Sequence, residues 1–287
     1  MSGDADPYRA IDEQADPKHF VTFLEERGNT PSQARLRRRF LRFCGIRRGW
    51  HVLEAGSGTG VLARDAAAMV GPRGHVIGVD PSRVLVSAAR RLARAHGLNG
   101  HVAFRVGDGS RLDMAADRFD CALAVTVLLH VPDGRAIVRE LTRVTKPGGV
   151  VGFQDQDLGA LILDHPDRAL TRRILDGVAA RTVVDPWSGR ALRGRLVEAG
   201  LERVRLVTDV FQDTTYTPFT RSMLGRRADN AVRFGIVSVR AAARWLQTLE
   251  RLAEAGRFVM TLNFYGAAGV KPDATTRRRR EAEPCPE

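Results

Sequence analysis

Between residues 51 and 154 short apolar runs alternate with longer amphipathic stretches. The runs His51–Ala55, His75–Asp80, Val102–Val106, Asp120–Leu128 and Val150–Gln154 are β-branched-rich and predict strands. The stretches 59–70, 82–97 and 133–145 carry the period of helices. Strands alternating with helices imply βαβ units, hence a parallel sheet with right-handed crossovers. Near-continuous apolar strands such as CALAVTVLL suit a sheet covered on both faces. Residues 1–30 have little periodicity and read as a loose arm with one short helix around His19–Glu26. Pro31 and Ser32 open a helix to about Cys44: Leu36, Phe40 and Phe43 share one face, Arg35, Arg38, Arg39 and Arg42 a solvated one. Beyond residue 160 the rhythm changes. Helices at 167–181 and 189–199 lead to a strand at Val204–Phe211, a helical insertion at about 218–254 and an apolar run from Phe258. Those last two strands lack a simple crossover and predict an antiparallel edge. The tail 273–287 reads as disordered.

With 287 residues, the chain fits one large domain, or one with an inserted or appended piece. Its 44% hydrophobic content excludes a disordered polymer. The first residues are polar and acidic, unlike a signal peptide, and no apolar run approaches a membrane span. Cys44, Cys121 and Cys285 are too scattered for a disulfide framework or a zinc site. A cytoplasmic enzyme, monomeric or homodimeric, is the default. The net charge of +12 raises nucleic acid as a partner. Yet lysine occurs only at Lys18, Lys146 and Lys271, the arginine-heavy usage expected of a GC-rich genome. No alternation of basic and aromatic residues marks a single-strand groove either. Both points weigh against that partner.

Candidate chemistry gathers at strand ends. The first strand closes in HVLEAGSGTG, placing Gly56, Ser57, Gly58 and Gly60 where a strand turns into a helix. Glycines there permit unusual backbone angles and close ligand approach, and the helix start favours a polar or anionic group. The second strand ends at Asp80, 24 positions after Gly56, placed to accept from ribose hydroxyls. The third brings Asp108 to the same edge. Glu54, Asp80 and Asp108 thus converge on the crevice where open α/β sheets bind ligands. Gly58 to Ala63 also satisfies a loose dinucleotide fingerprint, but three acids suit a dinucleotide diphosphate poorly and a cationic sulfonium nucleoside better.

In that order and spacing, VLEAGSGTG, VIGVDPS, VGDGS, FDCALAVTVLLHVPD and RVTKPGG resemble the motifs of class I S-adenosylmethionine-dependent methyltransferases. Most similar are the small-molecule enzymes like the ubiquinone/menaquinone C-methyltransferases. The resemblance covers about 50–157, and the closing FYGAAGVKP is similar to the family's last strand. It implies a Rossmann-like, seven-stranded, mostly parallel sheet with helices on both faces and a helical lid insertion. Residues 1–45 would form an arm and part of the lid, 46–157 the S-adenosylmethionine-binding core, and 158–272 the half that builds the acceptor pocket. Glu54, Gly56, Ser57, Gly58 and Gly60 would surround the methionine moiety, Glu54 standing where Asp is commoner. Asp80 would bind the ribose, Pro81 or Ser82 would line the adenine pocket, and Asp108 with Gly109 would face the adenine amino group. Val125 and Thr126 would flank the cofactor.

Methyl transfer from a sulfonium asks chiefly for orientation and exclusion of water; a base helps only when a proton must leave the acceptor. His130, in LLHVPD, is a candidate base or ligand, and equally a histidine anchoring the turn before Pro132. Asp155 and Asp157, in GFQDQDLG, follow the fifth strand; either could face the acceptor, or serve as a cap or backbone contact. The pair lacks the further oxygen ligands a hard divalent ion wants, so no metal is assigned. Trp187, Arg190, Tyr216, Phe219, Met223, Trp245 and Phe264 lie where this family builds its lid. The implied activity is methyl transfer to a quinone-like or specialised metabolite. A nucleic-acid methyltransferase, an NAD-dependent oxidoreductase and a cofactor-binding protein without transferase activity stand as alternatives. Against the first, the fourth strand ends VTVLLH rather than in the Asn/Asp-Pro-Pro-aromatic segment of base N-methyltransferases.

Overall fold

A computed structural model describes residues 6–273. Its elements run α1 (Pro17–Asn29), α2 (Pro31–Phe43), β1 (His51–Ala55), α3 (Val61–Val70), β2 (His75–Asp80), α4 (Arg83–Ala95), β3 (Val102–Val106), β4 (Phe119–Val125) and α5 (Gly134–Val144). There follow β5 (Thr145–Gln156), β6 (Ile162–Leu163), α6 (Arg168–Thr182), α7 (Ser188–Glu198), β7 (Glu202–Asp213), α8 (Pro218–Arg233), α9 (Val239–Glu254) and β8 (Met260–Val270). The sheet order is β3-β2-β1-β4-β5-β8-β6, with β7 on the free side of β8. β1 to β5 are parallel where they pair, and β8 runs antiparallel to β5, β6 and β7. The two-residue β6 makes eight strands where seven are expected; it continues along β8 the edge that β5 leaves after Gln156.

Alternation along the strands explains the layers. Val52, Val76, Cys121 and Leu123 turn to a face covered by α2, α3 and α4, where Phe40, Leu62 and Ala89 are buried. Leu53, Ala55, Ala122, Ala124, Val151 and Phe153 turn to the face covered by α5 and α7, against Ile137, Leu141 and Leu192. A third apolar cluster, centred on Trp245, Leu224 and Ile174, holds α6, α8 and α9 against the ends of β7 and β8. Among the described residues no helix is long and apolar enough to cross a membrane.

The structure departs from the sequence pattern in the arm and at the end of β4. The arm is more ordered than its periodicity implies: a 3-10 helix spans Pro7–Glu13, and α1 runs thirteen residues. Asp6-Pro7 and Asp16-Pro17 open the two, each aspartate accepting from a backbone N–H two or three residues on, with proline in the first turn. β4 stops at Val125 rather than Leu128, because Thr126 adopts φ +59° and turns the chain into a 3-10 helix at Leu128–His130. The tail beyond Asp273 lies outside the described residues.

Candidate active site

One cavity of about 600 Å³, within the usual range of small-molecule sites, opens at the carboxyl ends of β1, β2, β4 and β5. One wall is the turn after β1. Gly56 holds φ +69°, and a Cβ there would meet Val127 Cγ2 at 2.3 Å, so only glycine lets this turn close beside β4. Asp80 fixes the turn from the next strand: Oδ2 accepts from Gly58 N at 2.8 Å and Oδ1 from Ser82 N at 2.9 Å. Glu54, 3% exposed, has Oε2 buried with no protein partner, and Ser57 Oγ beside it is likewise unpaired. Burial, then the Asp80 carboxylate, pushes the Glu54 carboxyl well above its ordinary range. Burial also raises Asp80, against the two N–H groups that favour its charge. Two buried carboxylates and orphaned oxygens in one wall suit a ligand that brings positive charge and hydroxyl donors.

Glu54, Gly56, Ser57, Gly58, Asp80, Pro81, Asp108, Gly109, Val125 and Thr126 all border the cavity. Two residues assigned to this group do not. A Cβ on Gly60 would meet Phe104 Cζ at 2.3 Å, so Gly60 seats the start of α3 on β3 instead. Ser82 caps α4 through Leu85 N and donates to Asp12 of the arm. Asp108 is exposed, with both oxygens accepting from Ser110.

The acids after β5 also require correction. Because side chains alternate along a strand, Gln154 and Gln156 point into the cavity and Asp155 points to the α7 face with Phe153. Asp155 accepts from Val127 N (3.0 Å) and Ser188 Oγ (2.6 Å), locking the loop after β4 to the start of α7. Burial lifts its pKa to about 6, opposed by the Ser188 hydroxyl, His130 and Arg195. Asp157, fully buried, is held by Arg190 through two hydrogen bonds of 2.6 and 2.9 Å. Neither acid borders the cavity, so neither is placed to take a proton from a ligand there. His130 does border it, with Nδ1 2.6 Å from Asp6 Oδ2 and its ring 4.7 Å from that of Tyr8.

Among the lid candidates, Phe219, Met223 and Phe264 line the cavity. Trp245 is buried against Thr171, Tyr216 packs on Phe258, and Trp187 stands exposed with Arg190 over its ring. Sequence reasoning missed Tyr8, Phe20 and Phe23 from the arm, Arg27 at the end of α1, and Arg226 and Arg227 on α8. The two Asp-Pro caps are the signal that would have revealed an ordered arm. Nothing in the local pattern of α8 distinguishes its inward arginines from its outward ones.

The methyltransferase domain family matches residues 52–149. The chain is 31% identical to the "Uncharacterized 37.1 kDa protein in transposon TN4556" of Streptomyces fradiae, over 85% of this chain and 69% of that protein. It is 34% identical to a ubiquinone/menaquinone biosynthesis C-methyltransferase of Pseudomonas paraeruginosa, over 61% of this chain and 63% of the relative. A sterol 24-C-methyltransferase of Aspergillus fumigatus is 30% identical over 48% of this chain and 36% of the relative. The chain thus spans less than two thirds of these last two. Among solved structures, phosphoethanolamine N-methyltransferase 2 of Haemonchus contortus, in complex with S-adenosyl-L-methionine, superposes with a TM-score of 0.60 at 18% identity, over 93% of this chain and 60% of that one. The YcgJ protein of Bacillus subtilis gives 0.58 at 18% identity, over 84% and 100%. At those identities the structural likeness speaks for the fold.

Proposed function

The chain belongs to the class I S-adenosylmethionine-dependent methyltransferases, and from that premise we propose that its cavity seats the cofactor against the Glu54–Asp80 wall and a small organic acceptor against the aromatic wall opposite. The observation that carries this reading is the pair of buried carboxylates, Glu54 with an unpaired oxygen and Asp80 held by two backbone N–H groups, sharing a cavity with Phe23, Phe219 and Phe264. When bound, S-adenosylmethionine supplies a methyl group already activated on a sulfonium. The chain supplies the rest. Asp80, preset by two backbone N–H groups, receives the ribose hydroxyls; Glu54 offers its free oxygen to the cationic end; Val125 and Thr126 form the floor. The arm and α8 cover the acceptor and exclude water, the main protein contribution to an in-line displacement. His130, held by Asp6 and Tyr8, is the polar side chain best placed to orient an acceptor. Two relatives are named for ubiquinone/menaquinone biosynthesis and for sterol methylation, which supports an apolar acceptor here.

The test is thermal stabilisation by S-adenosylhomocysteine, set beside NAD and RNA. A ligand at a hundred times its Kd adds about 2.7 kcal/mol to the folded state. S-adenosylhomocysteine raises the melting temperature and the other two do not; Asp80→Ala loses the rise. A shift with NAD and none with S-adenosylhomocysteine refutes the proposal.

A further inference from the structure

One end of the cavity holds carboxylates countered by arginines, and the other holds arginines alone. Around Glu54 the charged neighbours are Asp80, Arg37 and Arg64; around Arg227 the neighbour is Arg226. Arg226 and Arg227 both reach the cavity from α8. Arg226 lies over the Phe23 ring at 4.3 Å and donates to Ser222 Oγ at 2.8 Å. Arg227 Nε is buried with no acceptor. Among the described residues no carboxylate faces either guanidinium as a counter-charge. Burial, then the charge of Arg226, brings Arg227 down to about 10. Keeping a guanidinium whose Nε is shut off from water beside a second, half-buried one, without an anion, is unfavourable, and the fold keeps them there. The surface beside them is apolar: Phe23 stacks on Phe219 (6.0 Å, 21°), which meets Phe211 edge-on at 5.9 Å.

We propose that the methyl acceptor is an apolar, ring-sized molecule bearing an anionic group, carboxylate or phosphate, with the anion on Arg226 and Arg227 and the apolar body against Phe23 and Phe219. This rests on the methyltransferase reading and adds the substrate class. Guanidinium forks match both anions through paired N–H donors, and water exclusion strengthens such bonds. Other arginines are available to the cofactor's own carboxylate. Arg27, whose Nη2 lies 3.4 Å from Thr126 Oγ1, and Arg37, a charged neighbour of Glu54, border the cavity on that side. Arg226 and Arg227 therefore act as specificity-determining residues, setting which acceptors enter.

The experiment is calorimetric titration of the full chain with 1-naphthoate, 1-naphthyl phosphate and the neutral 1-naphthamide, with and without saturating S-adenosylhomocysteine. At least one anion binds the S-adenosylhomocysteine complex about tenfold or more tightly than the amide, and the stronger of the two identifies the anionic group. Arg226→Met and Arg227→Met each abolish that preference, the double lysine variant restores part of it, and S-adenosylhomocysteine affinity stays within about twofold throughout. Arg227→Met melts no lower than wild type, since it removes a buried, uncompensated charge. Equal binding of amide and anions overturns the proposal. So does loss of S-adenosylhomocysteine binding in folded methionine variants, which would give these arginines to the cofactor. If wild type itself ignores S-adenosylhomocysteine, the methyltransferase reading fails, and the titration without it still reads the anion preference separately.

Discussion

Replacing Asp155 with asparagine tests whether this buried carboxyl is a charged anchor or a protonated one. Its side chain is 1% exposed and joins Val127 N to Ser188 Oγ. Burial raises its pKa from 3.8 to about 6, although Ser188, His130 and Arg195 all favour the charged form. A folded-state pKa above the unfolded one means the native protein binds the proton more tightly. The resulting stability is full below about pH 4 and lost as pH rises through about 6. A shift of this size corresponds to about 3 kcal/mol, of which about 1.4 kcal/mol falls between pH 5 and pH 8. The substituted asparagine cannot titrate but can still accept from Val127 N, so other pH effects cancel in the comparison and any lost contact enters as a constant. Urea unfolding of both proteins at steps across that range gives the difference directly. Wild type gains about 1.4 kcal/mol on Asp155→Asn as pH falls from 8 to 5. A flat difference, or one of opposite slope, means that Arg195 and His130 outweigh burial and Asp155 is charged throughout, which refutes the reasoning.

Further expectations rest on single contacts. Gly56→Ala forces a Cβ against Val127 at φ +69° and is expected to lower stability by about 2 kcal/mol or more and to remove the melting shift with S-adenosylhomocysteine; an unchanged shift would mean the turn relaxes without loss. Arg190→Ala leaves the buried Asp157 without its cation. With Arg190 half-exposed, the loss is about 2 kcal/mol at neutral pH, read by urea unfolding, and an unchanged stability would mean the pair contributes nothing.

The cofactor half was legible because its signals are local. β1, β2 and β3 occupy the residues their apolar runs mark, bounded by glycines and closed by Glu54, Asp80 and Asp108 near the strand ends. Asp155 and Asp157 misled for a reason equally local but overlooked. Val151, Phe153 and Asp155 share the strand's even spacing, so the acid belongs to the covered face and the glutamines to the cavity. The acceptor side was illegible because it is tertiary. Tyr8, Arg27 and Arg226 share one cavity only after α8 folds back over the arm, and no spacing along the chain encodes that meeting. The arm's order comes likewise from afar: Asp12 accepts from Ser82 Oγ, Arg83 N and Val84 N at the start of α4.

The place of β8 has a consequence for how the chain assembles. This strand, Met260–Val270, lies between β5 and β7, pairing with β7 along nearly its whole length and with β5 from Phe264 to Val270. During synthesis β5 and β7 are finished first, yet they cannot join each other and wait with open edges until the late strand arrives. The parallel half of the sheet can form beforehand, but the floor under α8 cannot. Such long-range closure slows folding and exposes unpaired edges to self-association. A chain shortened before residue 260 should therefore accumulate as aggregate rather than as a smaller soluble domain.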